Sequence, residues 1–310
     1  MRDSCVKLSA FIAACWIIAC SEPVTGAGVS DPPLFDGETA YDYLVAQCDF
    51  GPRNPGSAGA ANTFVYLSIH FKARADTVLY QQFTHIDAYG QQVPTMTNII
   101  ARYRPELTDR YLFCAHWDTR PRADRDSDPS VRDLPIIGAN DGASGVAVLM
   151  ALADMLKQSE PLMGVDLVMF DGEDYGEARN VSTDYFLGAK WFASQWPDYR
   201  PSLGVLLDMV GDSDLLIPKD PTSVALAPRI VERVWRAAQL EGVFQFASFS
   251  GPWISDDHVP LLEAGIKTID LIDFSYPYWH TQQDTPDKCS PASLQAVGSV
   301  LTRLIYDPDV

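Results

Sequence analysis

Three dense apolar runs each lead into, or carry, a group able to bind a metal or move a proton, and this restricts the fold more than any other feature. YLFCA (residues 111–115) ends at His116, VDLVMF (165–170) stops just before Glu173 and Asp174, and GVLLDMV (204–210) carries Asp208. Runs this apolar read as strands covered on both faces by helices. Helical spacing at 39–48, 60–74, 143–157, 184–194, 227–240 and 291–305 alternates with them. The expected fold is therefore α/β: a single domain with a central mixed, mostly parallel sheet flanked by helices on both faces. Groups at the ends of such strands converge on one rim of the sheet.

The ligand types follow a fixed order: His116 in HWD, Asp141 in NDGASG, Asp174 in FDGED, Asp208 in LLDMVG and His280 in YWHT. Imidazole and carboxylate together suit a borderline cation such as zinc, and a catalytic site keeps one position open beside its protein ligands. A carboxylate next to a ligand, here Glu173, is the usual general base. Successive side chains on an extended segment point apart, so one of Glu173 and Asp174 can hold a metal while the other faces the substrate. His116 and Asp118 lie two apart and can share a side, where Asp118 would accept the second imidazole proton.

Each residue also has a plainer reading. Asp141 could cap the helix that follows it, Glu173 and Asp174 could sit on a solvated loop, and His280 could be a hydrogen-bonded core histidine. Asp208 within an apolar run needs a buried partner in any case. Taken together in one order, these residues point to a metal site.

The motifs HWDTRPRADRD, IGANDGASGVAVLMALA, FDGEDYG, GVLLDMVG, SDDH and YWHT, with FGPRNPGSAGA near the start, resemble the zinc-dependent exopeptidase superfamily. That superfamily includes co-catalytic aminopeptidases and the animal-type glutaminyl cyclases, and the chain looks most like bacterial members of the cyclase branch over residues 40–302. In that branch the resemblance implies one zinc on Asp141, Asp174 and His280, Glu173 as proton shuttle, and Asp208 and Asp256 in the network around the substrate. In the aminopeptidase branch it implies a second zinc on His116 and Asp208, bridged by Asp141. The animal enzymes have two glutamates where this chain has Glu173 and Asp174. They also place a tryptophan soon afterwards, for which Tyr175, Tyr185 or Phe186 could substitute here. Trp253 and Trp279 adjoin site motifs and are candidate pocket walls, with core packing as the alternative. The charged loop at 116–135, starting from a ligand, is a candidate rim or lid.

Three functions are compatible with these residues. The first is a glutaminyl-peptide cyclotransferase, acting on peptide or protein N-termini. The second is a two-zinc aminopeptidase, and the third a catalytically silent binding module, which a lost base or ligand would signal. None is lost, and cyclisation is the expected activity.

The N-terminus carries Arg2 and Lys7, then a largely apolar stretch at 8–19 that is too short to span a bilayer. IIAC at 17–20 looks like a bacterial lipobox. The expected organisation is a signal peptide at 1–19, a lipidated tether at 20–34 beginning with Cys20, and the catalytic domain at 35–310. The mature protein is expected to be a periplasm-facing lipoprotein, with the outer membrane favoured by Ser21. Net charge is −18, and loss of the leader, with Arg2 and Lys7 against Asp3, leaves −19. Such acidity argues against nucleic-acid binding. Cys48, Cys114 and Cys289 remain beyond the anchor: Cys114 reads as a small core residue, and Cys48 and Cys289 as a possible disulfide in an exported protein. Cys20→Ser should release the protein from membranes into the soluble fraction on cell fractionation; an unaltered protein already recovered as a soluble species would contradict the anchor.

Overall fold

A computed structural model describes residues 33–177 and 183–307, together with Met1 and Val310. The leader, Cys20 and the tether as far as residue 32 lie outside the described residues. The central sheet contains β1 (Thr77–Phe83), β2 (Met96–Tyr103), β3 (Arg110–His116), β4 (Gly164–Phe170), β5 (Leu203–Asp208) and β8 (Ile269–Ile272), in the order β1-β2-β4-β3-β5-β8. The β1–β2 and β2–β4 pairings are antiparallel, whereas β4, β3, β5 and β8 run parallel. The sheet is thus mixed, with three of its parallel strands, β3, β4 and β5, at the expected runs and β8 not apparent in the sequence. A separate parallel pair, β6 (Ile217–Lys219) and β7 (Phe246–Ser250), was not apparent in the sequence.

Alternation along the strands assigns the two faces. Phe113 and Ala115 of β3, Leu167 and Met169 of β4, and Val205 and Leu207 of β5 point into one core. That core is closed by α1 (Gly37–Asp49), α2 (Ala58–Lys72), α3 (Gly145–Gln158), α6 (Pro228–Glu241) and α8 (Pro291–Tyr306). Leu112, Cys114, Val168, Phe170 and Leu206 point the other way, against α4 (Leu187–Gln195) and α7 (His258–Glu263). A further short helix, α5 (Pro221–Leu226), is capped by the Asp220 carboxylate, which accepts from the Ser223 amide at 2.6 Å. The six-residue helices α5 and α7 are too short to give a periodic signal. Cys114 is a core residue, and Cys48 and Cys289 are buried free thiols rather than a disulfide.

Register brings the strand ends level. His116 pairs with Phe170, and Asp208 pairs with Ile272, so β3, β4, β5 and β8 all finish on one rim. The apolar run at 204–210 is not a strand throughout: β5 stops at Asp208, and Met209 turns at φ 46°. That turn leaves Asp208 at the rim instead of inside the sheet. The helix expected from residue 143 is assigned from Gly145, and the non-helical Asp141 (φ −85°, ψ 94°) and Gly142 (φ 102°) set off the loop before it. A Cβ at Gly142 would lie 2.6 Å from the Asp118 carbonyl, so only glycine lets this loop approach the end of β3. Similarly, α4 starts at Leu187 and not at Asp184, whose carboxylate is taken by His85 (2.7 Å) and the Ala88 amide (3.0 Å).

Arg53, in the segment before α2, ties the two site loops together. Its fully buried guanidinium donates to the carbonyls of Trp117 (3.0 Å), Ile137 (2.8 Å) and Gly138 (2.7 Å), and its amide donates to the Thr119 hydroxyl at 2.8 Å. Removing this donor set leaves three buried carbonyls without a charged partner. Arg53→Met should therefore destabilise the protein by about 3 kcal/mol or more in urea unfolding; a loss under about 1 kcal/mol would show that the loops are held by other contacts.

Candidate active site

The carboxylates and imidazoles singled out in the sequence meet above the rim in two groups that share one residue. Asp141, Asp174 and His280 form the first, and His116, Asp141 and Asp208 the second. In the first, His280 Nε2 is 3.2 Å from Asp174 Oδ2 and 3.5 Å from Asp141 Oδ2. A tetrahedral zinc with bonds of about 2.0–2.1 Å separates its donors by roughly 3.3–3.4 Å, so this spacing fits. Asp141 Oδ2 and Asp174 Oδ2 are buried and have no hydrogen-bond partner, an arrangement that is costly unless a cation faces them. The second group has comparable spacing, with His116 Nε2 at 3.2 Å from Asp208 Oδ1 and 3.3 Å from Asp141 Oδ1. Here the histidine Nε2 hydrogen-bonds to Asp208, while its Nδ1 has no hydrogen-bond partner.

Asp141 is not the helix cap that its position suggested. Its extended backbone turns the carboxylate into the site, while Asp284 accepts the amides of Asn140 (2.8 Å) and Asp141 (3.1 Å) and the Tyr276 hydroxyl (2.8 Å). His280 sits at φ 57°, a left-handed conformation that costs a histidine about 1–3 kcal/mol. The turn Tyr278–Thr281 and the stack of Trp279 on the imidazole, with centroids 3.9 Å apart, hold it there.

Asp118 faces His116 as expected and has a further task. Its Oδ1 lies 3.6 Å from His116 Nδ1, and the carboxylate also accepts the amides of Glu173 (3.0 Å) and Asp174 (3.3 Å). Glu173 and Asp174 are consequently on a bend wrapped around Asp118 rather than on an extended segment, and both side chains reach the same cavity. That cavity measures about 340 Å³ and is also lined by Asp208, Asp256, Tyr185 and Trp279.

Electrostatics separates the two neighbours. Burial opposes ionisation of Asp174, yet His280 and Arg120 hold its carboxylate down to about 2. Glu173 is pushed well above the ordinary glutamate range, by burial first and then by the charge of Asp174. Asp256 is raised as well, by burial and by its neighbours Asp208 and Asp257. Adjacent carboxylates whose environments drive them apart can divide the roles of ligand and proton carrier.

Of the pocket aromatics, Trp279 lines the cavity against His280, while Trp253 stands at the mouth with 76% of its surface exposed. Tyr185 and Phe186 supply wall; Tyr175 instead joins a separate cluster with Phe83, Val93, Met96 and Leu187. The loop after His116 is not simply a solvated rim. Asp118, Thr119 and Arg120 are buried, and Arg122 donates to the carbonyls of Tyr175 (3.2 Å) and Gly176 (2.6 Å). Arg120, Asp124 and Asp284 were missed as site residues. The interleaved Arg and Asp downstream of His116, and the acid four positions after His280, were the available signals.

The model for peptidase family M28 matches residues 98–305. Among solved structures, a Bacteroides thetaiotaomicron glutaminyl cyclase bound to N-acetylhistamine is 36% identical, covers 90% of this chain and 100% of its own, and superposes with a TM-score of 0.85. A leucine aminopeptidase precursor from Bacteroides thetaiotaomicron is also 36% identical, over 90% of this chain and 99% of its own, at a TM-score of 0.85. The glutaminyl-peptide cyclotransferase of Bos taurus is 25% identical over 294 residues, spanning 82% of this chain and 78% of that protein. The chain belongs to peptidase family M28, and its structural relatives include bacterial glutaminyl cyclases.

Proposed function

We propose that this protein is a zinc-dependent glutaminyl-peptide cyclotransferase, converting the N-terminal glutamine of peptides or proteins to pyroglutamate with release of ammonia. The observation that carries the reading is the single cavity in which Glu173, Asp208 and Asp256 converge beside the Asp141, Asp174 and His280 group. Its support from relatives is the set of bacterial glutaminyl cyclases at 34–36% identity.

Asp141, Asp174 and His280 would hold one zinc ion, whose chemistry when bound is polarisation of the side-chain amide carbonyl of the substrate. The rest is supplied by the chain itself. The α-amine of the substrate attacks its own side-chain carbonyl carbon, forming the ring C–N bond, and Glu173 takes a proton from that amine. Glu173 then gives the proton to the amide nitrogen as the old C–N bond breaks and ammonia departs. Asp208 and Asp256 accept hydrogens from the amine and amide and so orient them for attack. Ring closure within one residue benefits from effective molarity, and no activated water is required.

A second reading, a two-zinc aminopeptidase, is favoured by the spacing of His116, Asp141 and Asp208 and by the leucine aminopeptidase precursor. We also propose that the chain is exported and anchored through Cys20. Among the described residues no helix is long and apolar enough to cross a membrane.

The decisive assay compares glutaminyl and leucyl β-naphthylamide. The glutaminyl compound should yield pyroglutamyl-naphthylamide and ammonia, and the leucyl compound, lacking both the carbonyl and the leaving group, should be untouched; free naphthylamine from the leucyl compound at a comparable rate would establish the peptidase. Glu173→Gln should retain zinc and lose roughly two to four orders of magnitude in turnover. Because a base acts only when ionised and Glu173 is raised, kcat/KM should rise with pH through a limb above about 4.5, and that limb should disappear in Glu173→Gln.

A further inference from the structure

All five N–H groups of the Arg120 guanidinium are engaged inside the site. Nε and Nη2 grip Asp124 in a fork, at 2.8 Å to Oδ1 and 2.7 Å to Oδ2. Nη1 donates to Asp174 Oδ1 at 2.5 Å and to the Asp174 carbonyl at 3.4 Å, and the second hydrogen of Nη2 reaches the Tyr185 hydroxyl at 3.1 Å. The side chain is 1% exposed. Asp124 in turn places Oδ1 3.5 Å from His280 Nδ1, on the far side of the ring from the nitrogen that faces Asp141 and Asp174. One arginine therefore reaches two of the three residues of the first group, Asp174 directly and His280 through Asp124.

This arrangement determines which oxygen of Asp174 can bind a cation. An aspartate with both oxygens free can chelate through the pair, but here Oδ1 is held by the guanidinium and only Oδ2 has no partner. We propose that Arg120 is a positioning residue that restricts Asp174 to ligation through Oδ2 alone and steers His280 through Asp124, so that a coordination position stays open for substrate. The proposal rests on the assignment of Asp141, Asp174 and His280 as the zinc site. An open position is what separates catalytic from closed structural zinc sites, and carboxylates behind ligating histidines orient the ring in the same way. Lysine keeps the charge but has no planar fork, so it cannot hold both carboxylates in this geometry.

The test uses cobalt(II) in place of zinc, since visible absorption is intense for a four-coordinate ion and weak at higher coordination. The unaltered protein should take up cobalt(II) with intense bands. Arg120→Lys should retain the ion but lose band intensity, as the released Oδ1 of Asp174 also binds, and kcat/KM should fall roughly 10–100-fold. Asp124→Asn weakens the arm to His280 together with one arm of the fork on Arg120, and leaves the Arg120 bond to Asp174 Oδ1 in place. It should keep intense bands and weaken zinc affinity, measured by chelator competition, by roughly 10–100-fold. Unchanged spectrum in Arg120→Lys, or unchanged zinc affinity in Asp124→Asn, would overturn the positioning role while leaving the zinc site intact. If Arg120→Lys does not fold, the Asp124→Asn affinity decides alone. Failure of the unaltered protein to take up either metal would overturn the zinc site itself, and the proposal with it.

Discussion

The architecture depends on the containment of negative charge at the end of an apolar sheet. Asp118, Asp141, Asp174 and Asp256 are each at most 3% exposed, and Glu173 and Asp208 share their cavity. Several kcal/mol oppose each buried charge that lacks a partner. The partners are placed around the perimeter: Arg53 under the loops, His116 between Asp141 and Asp208, Arg120 between Asp124 and Asp174, and backbone amides on Asp118 and Asp284. Among the groups this perimeter leaves without a hydrogen-bond partner are two oxygens, Asp141 Oδ2 and Asp174 Oδ2, that converge beside His280 Nε2; Asp256 Oδ2 and the Asp257 carboxylate are others. A divalent cation facing the converging pair offsets part of the charge of so acidic an interior.

The same containment separates the chemical roles. Asp174 is held ionised by His280 and Arg120, whereas Glu173, one residue away, is half-buried near that charge and is pushed well above the ordinary glutamate range. Both conditions originate in the bend around Asp118, which brings successive side chains to one cavity instead of opposite faces. A ligand and a proton carrier can therefore be sequence neighbours.

Much of this was legible in the sequence. The dense runs into His116 and before Glu173 marked buried parallel strands, since only helices on both faces explain such runs, and the rim followed from where those runs end. Asp141, Asp174 and His280 were legible as a set, because imidazole and carboxylate recur in a fixed order. What was not legible depends on contacts between distant segments. The spacing of two placed Asp118 beside His116, but gave no sign that its oxygens also accept amides 55 and 56 residues away. The late start of α4 reflects the hold of His85 on Asp184, and Asp141 departs from helix because Asp284 takes its amide. Arg120 was one of several charges in a loop read as a candidate rim or lid; only the fold shows that it donates to Asp174 and reaches His280 through Asp124.

The central claim is that one zinc ion, held by Asp141, Asp174 and His280, serves a cyclising site in which His116 and Asp208 remain hydrogen-bonded to each other. Anomalous diffraction at the zinc edge, on protein purified without added metal, tests it most directly. The account predicts one peak per chain, bounded by Asp141 Oδ2, Asp174 Oδ2 and His280 Nε2. Two fully occupied peaks, the second between His116 and Asp208, would contradict it.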